Sequence, residues 1–547
     1  MRIDTARDWG IQVSKMRTYD AVVIGAGHNG LCLAAYLARS GLRTAVVERR
    51  HEEGGGVNTE EPLLPGFRFN LHAQYMEFFD VMPMIRDFGL EDLGLRTVTP
   101  ENQAGIAFAD GRPPIVLHRF DLLDKTHASI ARYSKSDADT YVELKKRAAM
   151  LEPMLAAGLY SLPQPVDLPT QNLLLETLFG DLGVGAHYSA KSPKMVIDEL
   201  FETDELRALL YRATVEWGIP NDTVGMGAGF LTFVMWTMAN WKLALGGTHT
   251  LAKAMTQACY REGVDLIENT AVEQVIVEDG RAVGVRTRAG DIRAERCVAS
   301  NADLRSTLLD MVGDEHLSPL WVKRAKAFRF GPSHVLGTPM FCLRDAPRYR
   351  SGEHDPDIDK TFYTVVGYEG ADDVARYIRD AYMGRLPEPG AGTWVNSLWD
   401  RSQAPAGRHA ATGWYFFPPA SALSAEEWED VRRTFNVRFL EKWRAAAPNM
   451  TPANVLEHRL YTPDQMEQKN MMLEGDFSNG EFAPDQTGVN RPFPEASNYR
   501  TEIGGLYLCG PSAYPGGGVH AACGYNSFKA IAEDLGLPSP LVVDRGY

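Results

Sequence analysis

The hydrophobic pattern is sharpest near the start of the chain, where residues 21–24 form an unbroken apolar run that ends at Gly25-Ala26-Gly27-His28-Asn29-Gly30. A run too short for a helix that leads into a glycine turn predicts a buried parallel strand. Beyond the turn, Ala34, Ala35, Leu37 and Ala38 give a helix a small-residue packing face, Gly41 supplies its left-handed stop, and residues 44–48 predict a second strand. In this strand–turn–helix–strand unit Gly25 permits the tight turn, Gly27 lets backbone N–H groups approach a pyrophosphate, and Gly30 allows the helix to pack close to the sheet. Glu48 lies 18 residues past Gly30, where a carboxylate accepts hydrogen bonds from ribose hydroxyls. The unit predicts a dinucleotide clamp.

Two further stretches combine glycines with a helix and strands. Residues 506–509 predict a buried strand, 515–518 a loop that lets backbone approach a ligand, and 519–535 a helix ending at Gly536. Mid-chain, Gly246-Gly247-Thr248 open a helix to about Arg261, with Thr248 as N-cap and Gly263 as stop. Strands at 272–278, 282–288 and 292–300 follow, joined by Asp279-Gly280 and Gly290-Asp291 turns. The stretches between these pieces must build something else. Helix-prone runs at 137–155 and 198–214, broken by the proline-rich 162–169, and aromatic strand-like pieces at 361–367, 393–399 and 413–417 predict a mixed sheet capped by helices.

The fingerprint, the GGG..TEE..PGFRF run at 54–69, APAGRHA at 404–410 and the stretch at 505–535 together make the chain resemble the phytoene-desaturase-like FAD oxidoreductases. Within that family it is similar to the branch of pyridine nucleotide-disulphide oxidoreductase domain-containing protein 2, and the family also holds carotenoid desaturases, carotene isomerases and retinol saturase. The resemblance implies an α/β fold: a Rossmann-like FAD domain of the glutathione-reductase/amine-oxidase type from residues 18–89, 246–304 and 491–540, and a mixed α+β substrate domain from 90–245 and 305–490. Residues 1–17 are left as an N-terminal arm. It further implies that Gly55 and Gly56 lie along the FAD, that Val272 meets the adenine, and that Gly510, Pro511, Gly517, Gly518 and Val519 reach the flavin. Pro511 stands where many related flavoproteins have an acid for the ribityl chain.

A flavin takes a hydride while a base removes the accompanying proton. His72, His249 and His520 fall where the resemblance puts the ring or the substrate, and His520, at the N-terminus of the last helix, is the first candidate for the base. A positive helix end there keeps an imidazole neutral and able to accept a proton. The most apolar segment, residues 225–239, has too few residues to span a bilayer. It reads either as a buried helix or, through Trp236, Met238 and nearby Trp241, as the lining of a tunnel for an apolar substrate or a contact with the membrane holding it.

Composition narrows the partners. The 547 residues are 44% hydrophobic, enough for several cores, and the formal charge of −15 without Lys/Arg runs argues against nucleic acid and against an electrostatic hold on anionic membranes. Six scattered cysteines show no metal or redox spacing, which points to a reducing, cytoplasmic setting and away from a disulphide-reductase dithiol. The expectation is an FAD-dependent dehydrogenase or isomerase of an apolar, isoprenoid or polyene-like molecule, passing electrons to an acceptor left open between oxygen and a quinone. Two alternatives stand beside it: a flavin amine or alcohol oxidase, and a non-enzymatic escort of the GDP dissociation inhibitor type.

Overall fold

The computed structural model describes residues 17–165, 167–331 and 335–538, so the greater part of the N-terminal arm lies outside the described residues. Its first sheet begins with β1 (Arg17–Ile24), the glycine turn, α1 (His28–Arg39) and β2 (Thr44–Val47). Later in the chain come α2 (His249–Arg261), β3 (Asp265–Ile267), β4 (Val272–Glu278), β5 (Arg281–Thr287), β6 (Gly290–Ser300), β7 (Leu506–Leu508) and α3 (Ala522–Leu535). The strand order is β4-β5-β6-β1-β2-β3, with β7 also on β6. The pairings β1/β2, β1/β6, β2/β3 and β6/β7 are parallel, whereas β4/β5 and β5/β6 form an antiparallel meander. All four residues of β2 are buried, as befits a strand covered on both faces.

Helix α1 has a side of small residues because two other helices press against it. A Cβ on Gly30 would come within 2.2 Å of the Gly25 carbonyl oxygen, and one on Gly524 of α3 within 2.0 Å of the Asn29 carbonyl oxygen. Glycine at these positions lets backbone pack on backbone. The last helix starts later than the pattern predicts: Ala521 adopts φ 54° as its N-cap, so Val519 and His520 belong to the preceding loop. Gly536 ends the helix at φ 63°, in the left-handed C-terminal position. Thr248 precedes α2 but does not cap it with its side chain; its hydroxyl donates to the Asn58 carbonyl at 3.2 Å instead.

The second sheet contains, in order, Val455–Tyr461, Leu336–Leu343, His409–Phe416, Ala391–Trp394, Tyr363–Val366, Asn102–Ile106 and Ile115–His118. One face carries the long helix Ala425–Ala446, whose start is a reciprocal Ser424/Glu427 capping box. Its Trp428, Phe435, Phe439 and Trp443 pack on Phe341, Tyr415 and Phe417 of the sheet in one apolar cluster. Residues 227–237 form a continuous helical stretch with a π-helical middle, Phe230–Val234, and their burial makes this a core element. Among the described residues no helix is long and apolar enough to cross a membrane.

The contact between α1 and α3 yields a prediction. Gly524→Ala places a methyl group against the Asn29 backbone and should destabilise the protein by about 1–3 kcal/mol. Thermal unfolding checks this, and an unchanged midpoint would contradict the close approach.

Candidate active site

A cleft opens along the C-terminal ends of β1, β2 and β6. Gly25, Gly27, Glu48, Gly55, Gly56, Val272 and Pro511 all line it, together with Arg50, Asn301, Asp303 and Asn470. Glu48 is held in place from both sides: its Oε2 accepts the Ala26 N–H and its Oε1 the Arg50 N–H, each at 2.8 Å. The floor of the cleft is bare backbone, since a Cβ on Gly55 would stand 3.3 Å from the Gly27 Cα. Several buried polar atoms of its walls have no hydrogen-bond partner: Asn301 Oδ1, Asp303 Oδ2 and Arg50 Nη1. Buried polar groups are normally paired, so this set calls for a polar guest with both donors and acceptors. The hydroxyls and phosphates of a dinucleotide provide both. Asn301, Asp303, Arg50 and Asn470 escaped the sequence reading because Asn470 and the 301–303 pair reach the cleft only through folding, although Asn301 directly follows a predicted strand.

A second, mostly apolar cavity adjoins the cleft. His28, Gly56, Met472 and Phe477 line both spaces. The cavity alone is lined by His72, Tyr75, Glu77, Glu216, Trp217, Trp414, Gly517, Gly518 and Val519. Its back is aromatic, with Tyr75 stacked on Trp241 at 4.8 Å and Trp394 edge-on to Trp414 at 5.0 Å between ring centroids. The loop carrying Phe477 is held by two buried charges. Asp476 accepts the N–H groups of Ser478 and Gly480 at 2.8 and 3.0 Å, and Arg491 donates to the carbonyls of Ser478, Gly480 and Pro511.

The three candidate histidines have different fates. His520 does not line the cavity: its Nδ1 accepts the Ala522 N–H at 3.0 Å and its Nε2 faces the Gly517 carbonyl at 3.3 Å. Capping α3 takes up Nδ1 and the loop carbonyl engages Nε2, and burial pushes the imidazole down to about 3. His249 lies outside both spaces, with Nε2 3.5 Å from Glu53. His72 does line the cavity; neither of its ring nitrogens makes a well-formed hydrogen bond, the Asn470 carboxamide approaching it, and burial lowers it to about 3. His28, inside the glycine turn, stands at the junction, with Nε2 3.1 Å from the Gly518 carbonyl. Burial lowers it to about 4.

The proposed tunnel lining is also displaced. Trp241 lies behind Tyr75, Trp236 donates to Glu152 at 2.9 Å, and the Met238 carbonyl accepts from buried Lys145. These three residues are buried and line neither space. Gly510 lines neither space; a Cβ there would meet the Asn301 carbonyl at 2.7 Å, so it serves strand packing.

The cavity holds two carboxyl groups. Glu77 accepts from the Val519 backbone, and burial pushes it up to about 8. Glu216 is pushed up to about 7 by burial, against the pull of Arg212, whose Nη1 is 2.8 Å away.

With this geometry in view, comparison with known proteins is direct. Residues 23–88 match the NAD(P)-binding Rossmann-like domain family. The chain is 33% identical to one of the subunits of limonene dehydrogenase from Castellaniella defragrans, over 96% of both chains. The chain belongs to the phytoene-desaturase-like FAD oxidoreductase family. It is also 30% identical to pyridine nucleotide-disulfide oxidoreductase domain-containing protein 2 of Mus musculus over 94% of each. In fold it resembles an oxidoreductase from Methanosarcina mazei, with a TM-score of 0.58, 15% identity, and coverage of 94% of this chain and 99% of that one. The protein is an oxidoreductase enzyme with a Rossmann-like nucleotide domain.

Burial of Glu77 has a consequence for stability. Its folded value of about 8 exceeds the ordinary 4.5, so between these limits the folded state keeps a proton that the unfolded chain has released. This contribution to stability therefore falls as pH rises from 4.5 to 8 and levels off above. Glu77→Gln removes the decline, so the variant should gain in melting temperature over the wild type from pH 5 to pH 8, roughly the window set by those two values. A constant difference would show that the carboxyl is not neutral when folded.

Proposed function

We propose that the cleft binds FAD and that the chain uses it to dehydrogenate a compact apolar molecule held in the adjoining cavity. The observation that carries this reading is the shared wall: His28, Gly56, Met472 and Phe477 face both spaces, so a dinucleotide lying along the glycine turn ends where the apolar cavity begins. Similarity to limonene dehydrogenase supports a terpene-like substrate, and the closed aromatic back favours a compact molecule over a long polyene. When bound, FAD supplies a hydride acceptor.

The chain's own residues do the rest. With FAD bound, Glu48 would hold ribose hydroxyls, Arg50 would meet phosphates, and Asn301 and Asp303 would hydrogen-bond the ribityl chain in place of the acid that Pro511 replaces. Tyr75, Trp217, Trp414 and Phe477 exclude water and orient the substrate. Above about pH 8, where burial no longer keeps it protonated, Glu77, tied to the Val519 backbone beside the cavity, accepts the substrate proton on a carboxylate oxygen, in the role that the sequence pattern assigns to His520. A walled cleft with unpartnered polar atoms has no purpose in an escort protein of the GDP dissociation inhibitor type.

The purified protein should be yellow, and limonene should bleach its flavin under anaerobic conditions without peroxide release in air. Glu48→Ala should weaken FAD binding by roughly ten- to a hundredfold, the worth of hydrogen bonds to a charged group, as read by flavin fluorescence. A colourless protein that takes up no FAD overturns the reading, and peroxide release with amines or alcohols shifts it to an oxidase.

A further inference from the structure

The helix Asp204–Glu216 ends at the cavity with Glu216, a carboxyl at the negative end of a helix, where it is electrostatically disfavoured. Its side chain is fully buried, as is that of Arg212 one turn earlier. Oε1 is taken: Tyr363 Oη donates to it at 2.5 Å and Arg212 Nη1 lies at 2.8 Å. Oε2 is buried and has no partner. The next residue, Trp217, also lines the cavity, and its indole Nε1–H is likewise buried without an acceptor. The cavity wall thus contains, besides the unpartnered Gln74 Oε1 and the His72 ring, one unmatched acceptor and one unmatched donor on adjacent residues.

From this pairing we infer that Glu216 and Trp217 receive a hydroxyl group of the substrate, so that the molecule taken up is a compact apolar alcohol. A hydroxyl carries one donor and two acceptor lone pairs, so it donates to Glu216 Oε2 and accepts from Trp217 Nε1. A pure hydrocarbon leaves both groups unsatisfied. An ammonium group brings a second cation to a carboxyl already paired with Arg212, and a carboxylate meets like charge from Glu216. The inference rests on the dehydrogenase reading above and narrows its substrate class.

The test titrates the anaerobic FAD holoenzyme with limonene, perillyl alcohol and perillyl amine, which share one ring skeleton, and follows the shift in flavin absorption and the rate of bleaching. Perillyl alcohol should bind about tenfold or more tighter than limonene and the amine, because only it satisfies both buried groups. Trp217→Phe keeps the apolar wall but deletes the donor, and Glu216→Gln keeps the shape but replaces the carboxylate. Each should narrow the preference for alcohol over hydrocarbon, and either folded variant suffices. Equal affinities for alcohol and hydrocarbon, or variants that weaken both ligands alike, overturn the inference. If the flavin is still bleached in that case, the dehydrogenase reading stands. A yellow protein whose flavin responds to none of the three overturns both.

Discussion

The active site depends on the contact between the two ends of the chain. Helix α3 comes so close to the N-terminus of α1 that only glycine fits at position 524, and the Gly524 N–H points to the Asn29 side chain at 3.4 Å. Next to it, His28 reaches the Gly518 carbonyl. These links fix the C-terminal glycine loop against the fingerprint turn. The cleft therefore ends at the cavity, with His28 forming part of both walls.

Burial then decides the chemistry of the groups that face this junction. His28, His72 and His520 are all driven toward the neutral form chiefly by loss of solvent, whereas Glu77 is driven toward its protonated form by the same cause. Desolvation thus moves the group that titrates near neutrality from an imidazole to a carboxyl. The region where cleft and cavity meet is held rigid by Arg491 and Asp476, whose hydrogen bonds go to backbone carbonyls and amides of the loop that carries Phe477. A buried guanidinium with this many carbonyl partners is a positioning device.

Membership of the desaturase-like family and the shape of the cavity point the same way. Aromatic residues back the cavity and its lining is mostly apolar, as an apolar substrate requires. The relatives span dehydrogenases, desaturases and isomerases. In this chain the cavity's polar groups include Glu77 at the glycine loop and the Glu216–Trp217 pair in the aromatic wall.

Local pattern was enough to determine the strand–turn–helix unit, the β4–β6 meander, the C-terminal stop at Gly536 and the cleft residue Glu48, because strand periodicity, glycine turns and the acid at its fixed spacing are properties of neighbouring residues, whereas Gly55 and Val272 followed from the family resemblance. The tertiary structure alone decided which side chains face the cavity. His520 lies in the expected segment but turns to cap its helix, since an orphan N–H two residues away is its nearest partner. Trp236, Met238 and Trp241 are apolar as expected but line neither space, because apolar character does not distinguish a core wall from a lining. Glu77 and Glu216 lie in apolar surroundings far apart in the chain, and only the packing of separate elements around one space brings the two carboxyls together.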